Sequence, residues 1–273
     1  MDRAELLRLV LPVAAFALVG LEWAIARALG NRVHDPGETA ASLTIAVGHR
    51  LVAAATAGFA AIPLGWAWEL RVFDIPLDGP AAWIALFLAV ELAYYWHHRA
   101  MHGVRWLWAT HAVHHSATRM NLAAALRLGW FGPVTGGVVF YLPLVLLGFH
   151  PGAVLGMLAL GLFYQLFLHS AWAPRLGLLE GVLNTPRHHH VHHASNAACL
   201  DRNFGGVLIL WDRLFGTYAA MPEGEALRFG LHGSGGPSRN PAAILLAEWG
   251  RLLRDFASAR GLRPRLTVLF GRP

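Results

Sequence analysis

Three short stretches of this 273-residue chain hold most of its 16 histidines, and they hold them at metal-ligand spacing. The first is His98-Arg99-Ala100-Met101-His102, an HxxxH pair preceded by His97. The second is His111-Ala112-Val113-His114-His115, and the third is His189-His190-Val191-His192-His193, preceded by His188. On a helix, residues at i, i+3 and i+4 share one face, so each stretch can aim its imidazoles at a common point. That geometry selects His98 with His102, His111 with His114 and His115, and His189 with His192 and His193, and it turns His97 and His190 elsewhere. A solvated basic patch does not need eight imidazoles at repeated ligand spacing. One metal cannot hold them all, so four to six ligands per ion imply two ions. His169, at the end of an apolar stretch, is a natural ninth ligand. The single cysteine, Cys199, excludes a Cys-based metal cage and an intrachain disulfide, and reads as a small buried thiol.

Imidazole suits iron, zinc, copper and nickel alike, so ligand type leaves the metal open. A zinc peptidase needs Glu beside the first His of its pair, and here that position is Arg99. A metal transporter would carry its ligands mid-span. A redox-active pair at a bilayer surface suits attack on lipid C–H bonds; iron can activate O2 for this, whereas zinc has no redox chemistry.

The elements that must position these groups are those of a membrane protein. The chain is 56% hydrophobic and only 14% charged, where soluble domains carry about a quarter charged residues. Disorder is excluded by the same figures. Its net charge of +6 rests on arginine alone, since lysine is absent, and the arginines stand singly between apolar runs. That placement suits loop ends facing an anionic leaflet and not a nucleic-acid groove. Residues 128–174 contain no Asp, Glu, Lys or Arg, a run of 47 residues broken at Gly148-Phe149-His150-Pro151-Gly152. A span takes roughly 20 apolar residues, so this stretch predicts two spans joined by a tight turn. Arg127 and Arg175 then share a side, cytoplasmic by the positive-inside tendency, with His169 at that interface.

Further spans are predicted over 6–29, 43–68 and 81–96, the last ending at Tyr94-Tyr95-Trp96 as an aromatic belt. Cleavage after Ala24-Ile25-Ala26 competes with the first span, but acidic Asp2 and Glu5 fit a signal peptide poorly. The expectation is an all-α polytopic membrane protein with about four to five spans, an outside N-terminus and a cytoplasmic-side histidine-rich helical cap. Asn240-Pro241 opens a helix over 240–260 with Ile244, Leu245, Trp249, Leu252, Leu253 and Phe256 at helical spacing. The organisation read here is an N-terminal transmembrane region 1–79, a histidine-bearing domain 80–219 and a C-terminal tail 220–273 with that amphipathic helix.

The run Tyr94-Tyr95-Trp96-His97-His98-Arg99-Ala100-Met101-His102 resembles the opening motif of the fatty acid hydroxylase/sterol desaturase superfamily. So do Leu107-Trp108-Ala109-Thr110-His111-Ala112-Val113-His114-His115-Ser116, the later Asn121 with Ala125-Leu126-Arg127, and Asn184-Thr185-Pro186-Arg187-His188-His189-His190-Val191-His192-His193. Asp201-Arg202-Asn203-Phe204-Gly205-Gly206 and Trp211-Asp212-Arg213-Leu214-Phe215-Gly216-Thr217 follow in the family's order. The likeness covers residues 80–219 and is strongest to the branch of alkylglycerol-monooxygenase-like and bacterial sterol-desaturase-like proteins. It implies an integral membrane non-haem di-iron enzyme, in which zinc can replace iron on isolation, that uses O2 and outside electrons. It carries metal ligation to His98, His102, His111, His114, His115, His169, His189, His192 and His193, with His188 as a tenth candidate. Three positions depart from the pattern: Glu91 stands where Asp is frequent, His190 where Arg is common, and Thr118-Arg119-Met120 lacks an acidic residue.

Glu91, two turns before His98, is a candidate to orient a ligand, with an ion pair to Arg99 as the alternative. Asn121, Asp201, Asn203 and Asp212 are similar candidates, although either aspartate could instead pair with Arg202 or Arg213. Trp106, Trp108 and Trp211 read as interfacial anchors. The favoured function is O2-dependent hydroxylation of an acyl, alkyl-ether or sterol-like lipid. The chain has no nicotinamide, flavin or P-loop motif, so electrons must come from a separate reductase, ferredoxin or cytochrome. Desaturation, or ether cleavage through a hemiacetal, is the rival on the same site, and a metal-binding or transport membrane protein is the rival outside enzymes. The lipid, the donor and the oligomeric state are not read from the sequence.

Overall fold

The computed structural model of the chain describes residues 3–231 and 238–273; Asp2 lies outside them. Among the described residues the fold is all-α, with no strand and two isolated bridges, Leu183 with Leu208 and Ala194 with Phe229.

Five segments run between two ends of the molecule, and the histidines gather at one of them. α1 (Arg3–Ala28) finishes at the histidine end, where Glu22 accepts the backbone N–H groups of Leu122 (2.7 Å) and Ala171 (2.9 Å). α2 (Pro36–Ala55) starts at the same end, with the Asp35 carboxylate accepting Glu38 N–H at 2.9 Å and Pro36 in the first turn. A 46° bend leads into α3 (Gly58–Glu69). The loop beyond α3 marks the far end: Val72 N–H donates to the Leu146 carbonyl at 2.7 Å and Ile75 N–H to that of Gly148 at 3.2 Å. α4 (Pro80–Gly103) returns to the histidines and passes directly into α5 (Arg105–His115) and the short α6 (Leu122–Ala125). The fourth segment goes back through 3-10 turns at Gly132–Thr135 and Gly137–Phe140 and through α7 (Leu142–Leu147). α8 (Pro151–Leu168) comes back again, with His169 as its C-terminal cap residue.

The predicted spans are corrected in kind. Among the described residues, length and apolarity qualify two helices to cross a membrane, Val10–Ala28 and Pro151–Leu168, and a third if the bent α2–α3 pair is one span. α4 has the length but carries Glu91 and Arg99 within it. The expected first arm of the 128–174 hairpin is not a continuous helix, because its glycines are used for close approach. A Cβ on Gly129 would stand 2.4 Å from the Thr110 carbonyl oxygen, one on Gly137 would stand 2.4 Å from His97 Nε2, and Gly136 takes a left-handed φ of 88°. The segment therefore presses against α4 and α5 as tight turns, an arrangement that membrane depth tolerates only against neighbouring protein.

Arg127 is also not an interface marker. It is 1% exposed and donates to Ser42 Oγ (3.1 Å), Ser116 Oγ (3.2 Å) and the Glu38 carbonyl (3.2 Å), with the Glu38 carboxylate 3.6 Å away. Of the expected aromatic belt only Trp96 faces outward; Tyr94 and Tyr95 are buried and spend their hydroxyls on Gln165 (2.6 Å) and Thr217 (2.9 Å). Trp106 and Trp108 are half-buried: Trp106 Nε1 donates to the Thr135 carbonyl at 3.1 Å, and Trp108 packs on the histidines. Cys199 is buried, as expected.

α9 (Pro186–His193) and α10 (Leu210–Leu214) complete the histidine end. α11 (Pro241–Ser258) begins at the predicted Asn240 cap, whose side chain accepts Ala242 and Ala243 N–H, and it buries Ile244, Leu245 and Leu252 while Leu253 points out. With α12 (Leu262–Phe270) it lies against α5.

Candidate metal centre

Nine histidines meet in two adjoining groups. His98, His102, His111, His115 and His192 form one, and His114, His169, His189 and His193 the other; within each, the ligand-competent atoms lie within 4.8 Å of one another. Each HxxHH motif is split between the groups, which corrects the expectation that it aims at one point. α5 gives His111 and His115, one turn apart, to the first group and His114 to the second. α9 does the reverse, giving His189 and His193 to the second and His192 to the first. The cause is angular: at 100° per residue, positions i+3 and i+4 diverge enough to reach two points a short distance apart. The groups touch where the rings of His115 and His193 stack at 4.4 Å.

Backbone carbonyls fix which nitrogen faces inward. Nδ1–H of His98 donates to the Phe204 carbonyl (2.9 Å), that of His192 to Arg202 (2.8 Å) and that of His169 to Gln165 (2.8 Å). Each of these rings therefore turns an Nε2 lone pair inward. His169 Nε2 meets Nε2 of His114 at 3.1 Å, of His189 at 3.1 Å and of His193 at 3.2 Å. In the other group His111 Nε2 lies 3.1 Å from Nε2 of both His98 and His115, while the buried Nε2 atoms of His102 and His192 have no hydrogen-bond partner. Lone pairs do not face one another at this distance without a cation between them. Donors about 2.0–2.1 Å from a metal ion stand roughly 2.8–3.4 Å apart in octahedral to tetrahedral arrangements, and the observed spacings fall in that range. The nine imidazoles thus fit two first-row metal ions. Burial holds His111, His115, His189, His192 and His193 well below the usual histidine range and His169 down to about 3, so they are neutral and ready to ligate at neutral pH.

The remaining expected residues sort by distance from the imidazoles. Asp201 touches one directly, its Oδ1 3.4 Å from His102 Nδ1, and this contact lowers its carboxyl pKa. Asp212 is fully buried and accepts Phe204 N–H (2.7 Å), Gly205 N–H (2.7 Å) and Thr217 Oγ1–H (2.6 Å), fixing the turn whose carbonyls hold His98 and His192. Asn203 binds the same turn to the His188 carbonyl (3.0 Å) and to Ala219. Asp201 and Asn203 both have φ 56°, a conformation that Asp and Asn tolerate better than most residues. Glu91 does not pair with Arg99; its Oε2 accepts Val207 N–H (2.7 Å) and Leu208 N–H (2.8 Å). Asn121 reaches no histidine: it caps α6 through Ala124 N–H and donates to the Val33 carbonyl.

His188 lies outside both groups, its ring against Tyr218 and its Nδ1 3.4 Å from Thr185 Oγ1. His97 and His190 turn away as expected, His97 stacking on Phe140 and His190 bonding the Ser170 carbonyl at 2.9 Å. Sequence reasoning missed the carbonyls of Arg202, Phe204 and Gln165, which carry no residue-type signature. Only Gln165, four residues before His169, was findable from helical spacing.

A membrane-type helical bundle with nine convergent imidazoles defines a histidine-rich metalloprotein of the bilayer. Residues 83–217 match the fatty acid hydroxylase family and belong to it. Alkylglycerol monooxygenase of Homo sapiens is 45% identical over 166 residues, 60% of this chain and 36% of its own. The Danio rerio protein of the same name is 41% identical over 208 residues, 76% of this chain and 45% of its own. The ornithine lipid hydroxylase OlsE of Rhizobium tropici is 32% identical over 143 residues, 52% of this chain and 43% of its own. The chain spans about half or less of the length of these curated relatives. No solved structure matches it.

Proposed function

We propose that the chain is a multi-pass membrane non-haem di-iron monooxygenase that hydroxylates a lipid, using O2 and electrons from a separate donor protein. The convergence of nine imidazoles into two adjoining groups carries this reading. His98, His102, His111, His115 and His192 would hold one iron, and His114, His169, His189 and His193 the other. When bound, the pair supplies the redox steps that activate O2, which neither imidazole nor carboxylate can provide. The protein's part is positioning. Carbonyls of the 201–204 turn aim the rings of His98 and His192, Asp212 and Asn203 hold that turn, Glu91 ties the following Val207 and Leu208 to α4, and burial keeps water from the donors.

Alkyl-ether lipids are the preferred substrate class, because the relatives named alkylglycerol monooxygenase match at 41–45% identity. Adding one oxygen atom from O2 to the carbon beside the ether oxygen, with the other leaving as water after two electrons and two protons enter, yields a hemiacetal that breaks into aldehyde and alcohol. Hydroxylation of an amino-acid-containing lipid is the second reading, on the match to the ornithine lipid hydroxylase.

The alternating segments support a reading of five crossings, and the organisation proposed is a membrane region 1–79, a catalytic domain 80–219 and a tail 220–273. The far-end loop after α3 sets Arg71 against Asp74 and Asp78, whereas the histidine end carries Arg99, Arg105, Arg119, Arg175, Arg187 and Arg202. That bias supports a cytoplasmic site. The test is lipid mass spectrometry of cells expressing the chain or its His169→Ala variant under 18O2. A product bearing one labelled oxygen, or the labelled aldehyde, made only by the parent chain supports the proposal. Loss of two hydrogens points to desaturation, and no difference removes the enzymatic reading.

A further inference from the structure

Residues 256–273 contain four arginines, Arg260, Arg263, Arg265 and Arg272, and no Asp or Glu. Within them α12 presents Leu262, Leu266 and Phe270 at i, i+4 and i+8, and these are 74%, 44% and 60% exposed. A shallow, open depression on this face is lined by Arg263, Leu266, Thr267, Phe270 and Gly271. Arg260, Arg263 and Arg272 are exposed around it, while Arg265 folds back over the Phe256 ring at 5.3 Å and Val268 and Leu269 are half-buried. The helix turns half-buried Val268 and Leu269 toward the protein and leaves a free side that is both apolar and cationic.

Its height is fixed by its C-terminal end. The Gly271 carbonyl accepts Arg105 N–H at 2.9 Å, and the Arg105 side chain pairs with Asp255 at the end of α11. Arg105 opens α5 immediately after α4 ends, so α12 lies at the level where α4 emerges beside the histidines. A free face meant for water would not carry three large apolar side chains in a row, and a nucleic-acid face has no use for them. Leucine and phenylalanine framed by arginine match the plane where headgroup phosphates meet acyl chains.

The geometry points to α12 as a membrane-surface anchor that docks on an anionic phospholipid leaflet. Leu262, Leu266 and Phe270 enter the acyl boundary, and Arg260, Arg263 and Arg272 bind lipid phosphates. Because α12 packs against α5, which carries His111, His114 and His115, the docked helix sets the height of the histidine centre against the lipid. This inference needs only a membrane-embedded chain and stands apart from the reaction proposed above.

The full chain with Cys199→Ser and Leu266→Cys, labelled with an environment-sensitive dye, is reconstituted in phosphatidylcholine vesicles with or without phosphatidylglycerol. Lipids bearing a nitroxide high on the acyl chain should quench the dye at least about twofold more strongly when phosphatidylglycerol is present, and the difference should vanish at high salt or with Arg260, Arg263 and Arg272 all changed to Gln. Quenching by aqueous iodide alone, or shielding from both quenchers by another part of the protein, overturns the inference. Hydrogen exchange of the unmodified chain in nanodiscs is the variant-free measure. Slower exchange across 262–270 with phosphatidylglycerol is expected, and equal exchange counts against the anchor.

Discussion

Asp212→Asn should loosen one metal position and spare the other. Asp212 is fully buried, and its two oxygens accept three donors, Phe204 N–H, Gly205 N–H and the Thr217 hydroxyl, at 2.6–2.7 Å. Asparagine keeps one oxygen and turns an NH2 toward a backbone N–H, which leaves a buried donor unpaired at about 1–3 kcal/mol and weakens the surviving charge-assisted bonds. Part of this is offset, since burial pushes the Asp212 carboxyl pKa up and the amide carries no charge to bury. A net loss of roughly 1–3 kcal/mol follows, enough to lower the melting temperature without unfolding the chain. The consequence at the site is directional. Phe204, freed from Asp212, no longer fixes its carbonyl on His98, whereas His169 is held by Gln165 on α8 and does not depend on this turn. Loss of such an outer partner typically costs about 10–100-fold in metal affinity. Chelator titration with elemental analysis should therefore show one ion released at about 10–100-fold lower chelator and the second unshifted. Joint release of both ions, or no shift in either, would refute the reasoning.

Arg127→Ala should cost about 3–5 kcal/mol in thermal melting, because it removes the cation beside the buried Glu38 carboxylate and leaves that charge only the Thr118 N–H and hydroxyl, and changing Glu38 as well should cost less than the sum. Gly129→Ala drives a Cβ to 2.4 Å from the Thr110 carbonyl oxygen, backbone that cannot swing aside; a melting loss of about 1–3 kcal/mol is expected, and an unchanged melting temperature would contradict the packing described. Acid should destabilise the metal-free chain: His189, His192 and His193 are held far below their unfolded value of about 6.5, so the unfolded state binds more protons there. Stability is complete above about pH 6.5 and falls as the pH drops through 6 and 5, which a melting series across that range measures directly.

The histidine spacing made the convergent imidazoles legible, and the apolar runs made an all-α chain with membrane-length helices legible, because helical periodicity and span length are local properties. What was not legible depended on contacts between distant parts. The break after Arg127 follows from Gly129 and Gly137 meeting α5 and α4, and apolarity alone cannot register that. The division of each HxxHH motif between two groups needs the partner helix in place, since i+3 and i+4 diverge only with respect to fixed points. Glu91 was expected to orient a ligand histidine or to pair with Arg99, whereas its partners are the N–H groups of Val207 and Leu208, more than a hundred residues on. His188 adjoins the ligand motif in sequence, but its ring lies outside both groups, beside Thr185 and against Tyr218, a neighbour distant in the chain.

Elemental analysis of the chain purified from its membrane, alongside His169→Ala and His98→Ala, tests the two-group centre most directly. The account predicts about two irons per chain in the parent and about one in each variant, with the variant lacking His169 emptied at the four-histidine group and the variant lacking His98 at the five-histidine group. A parent chain that folds fully while holding a single ion or none, or variants that both retain two, would contradict it.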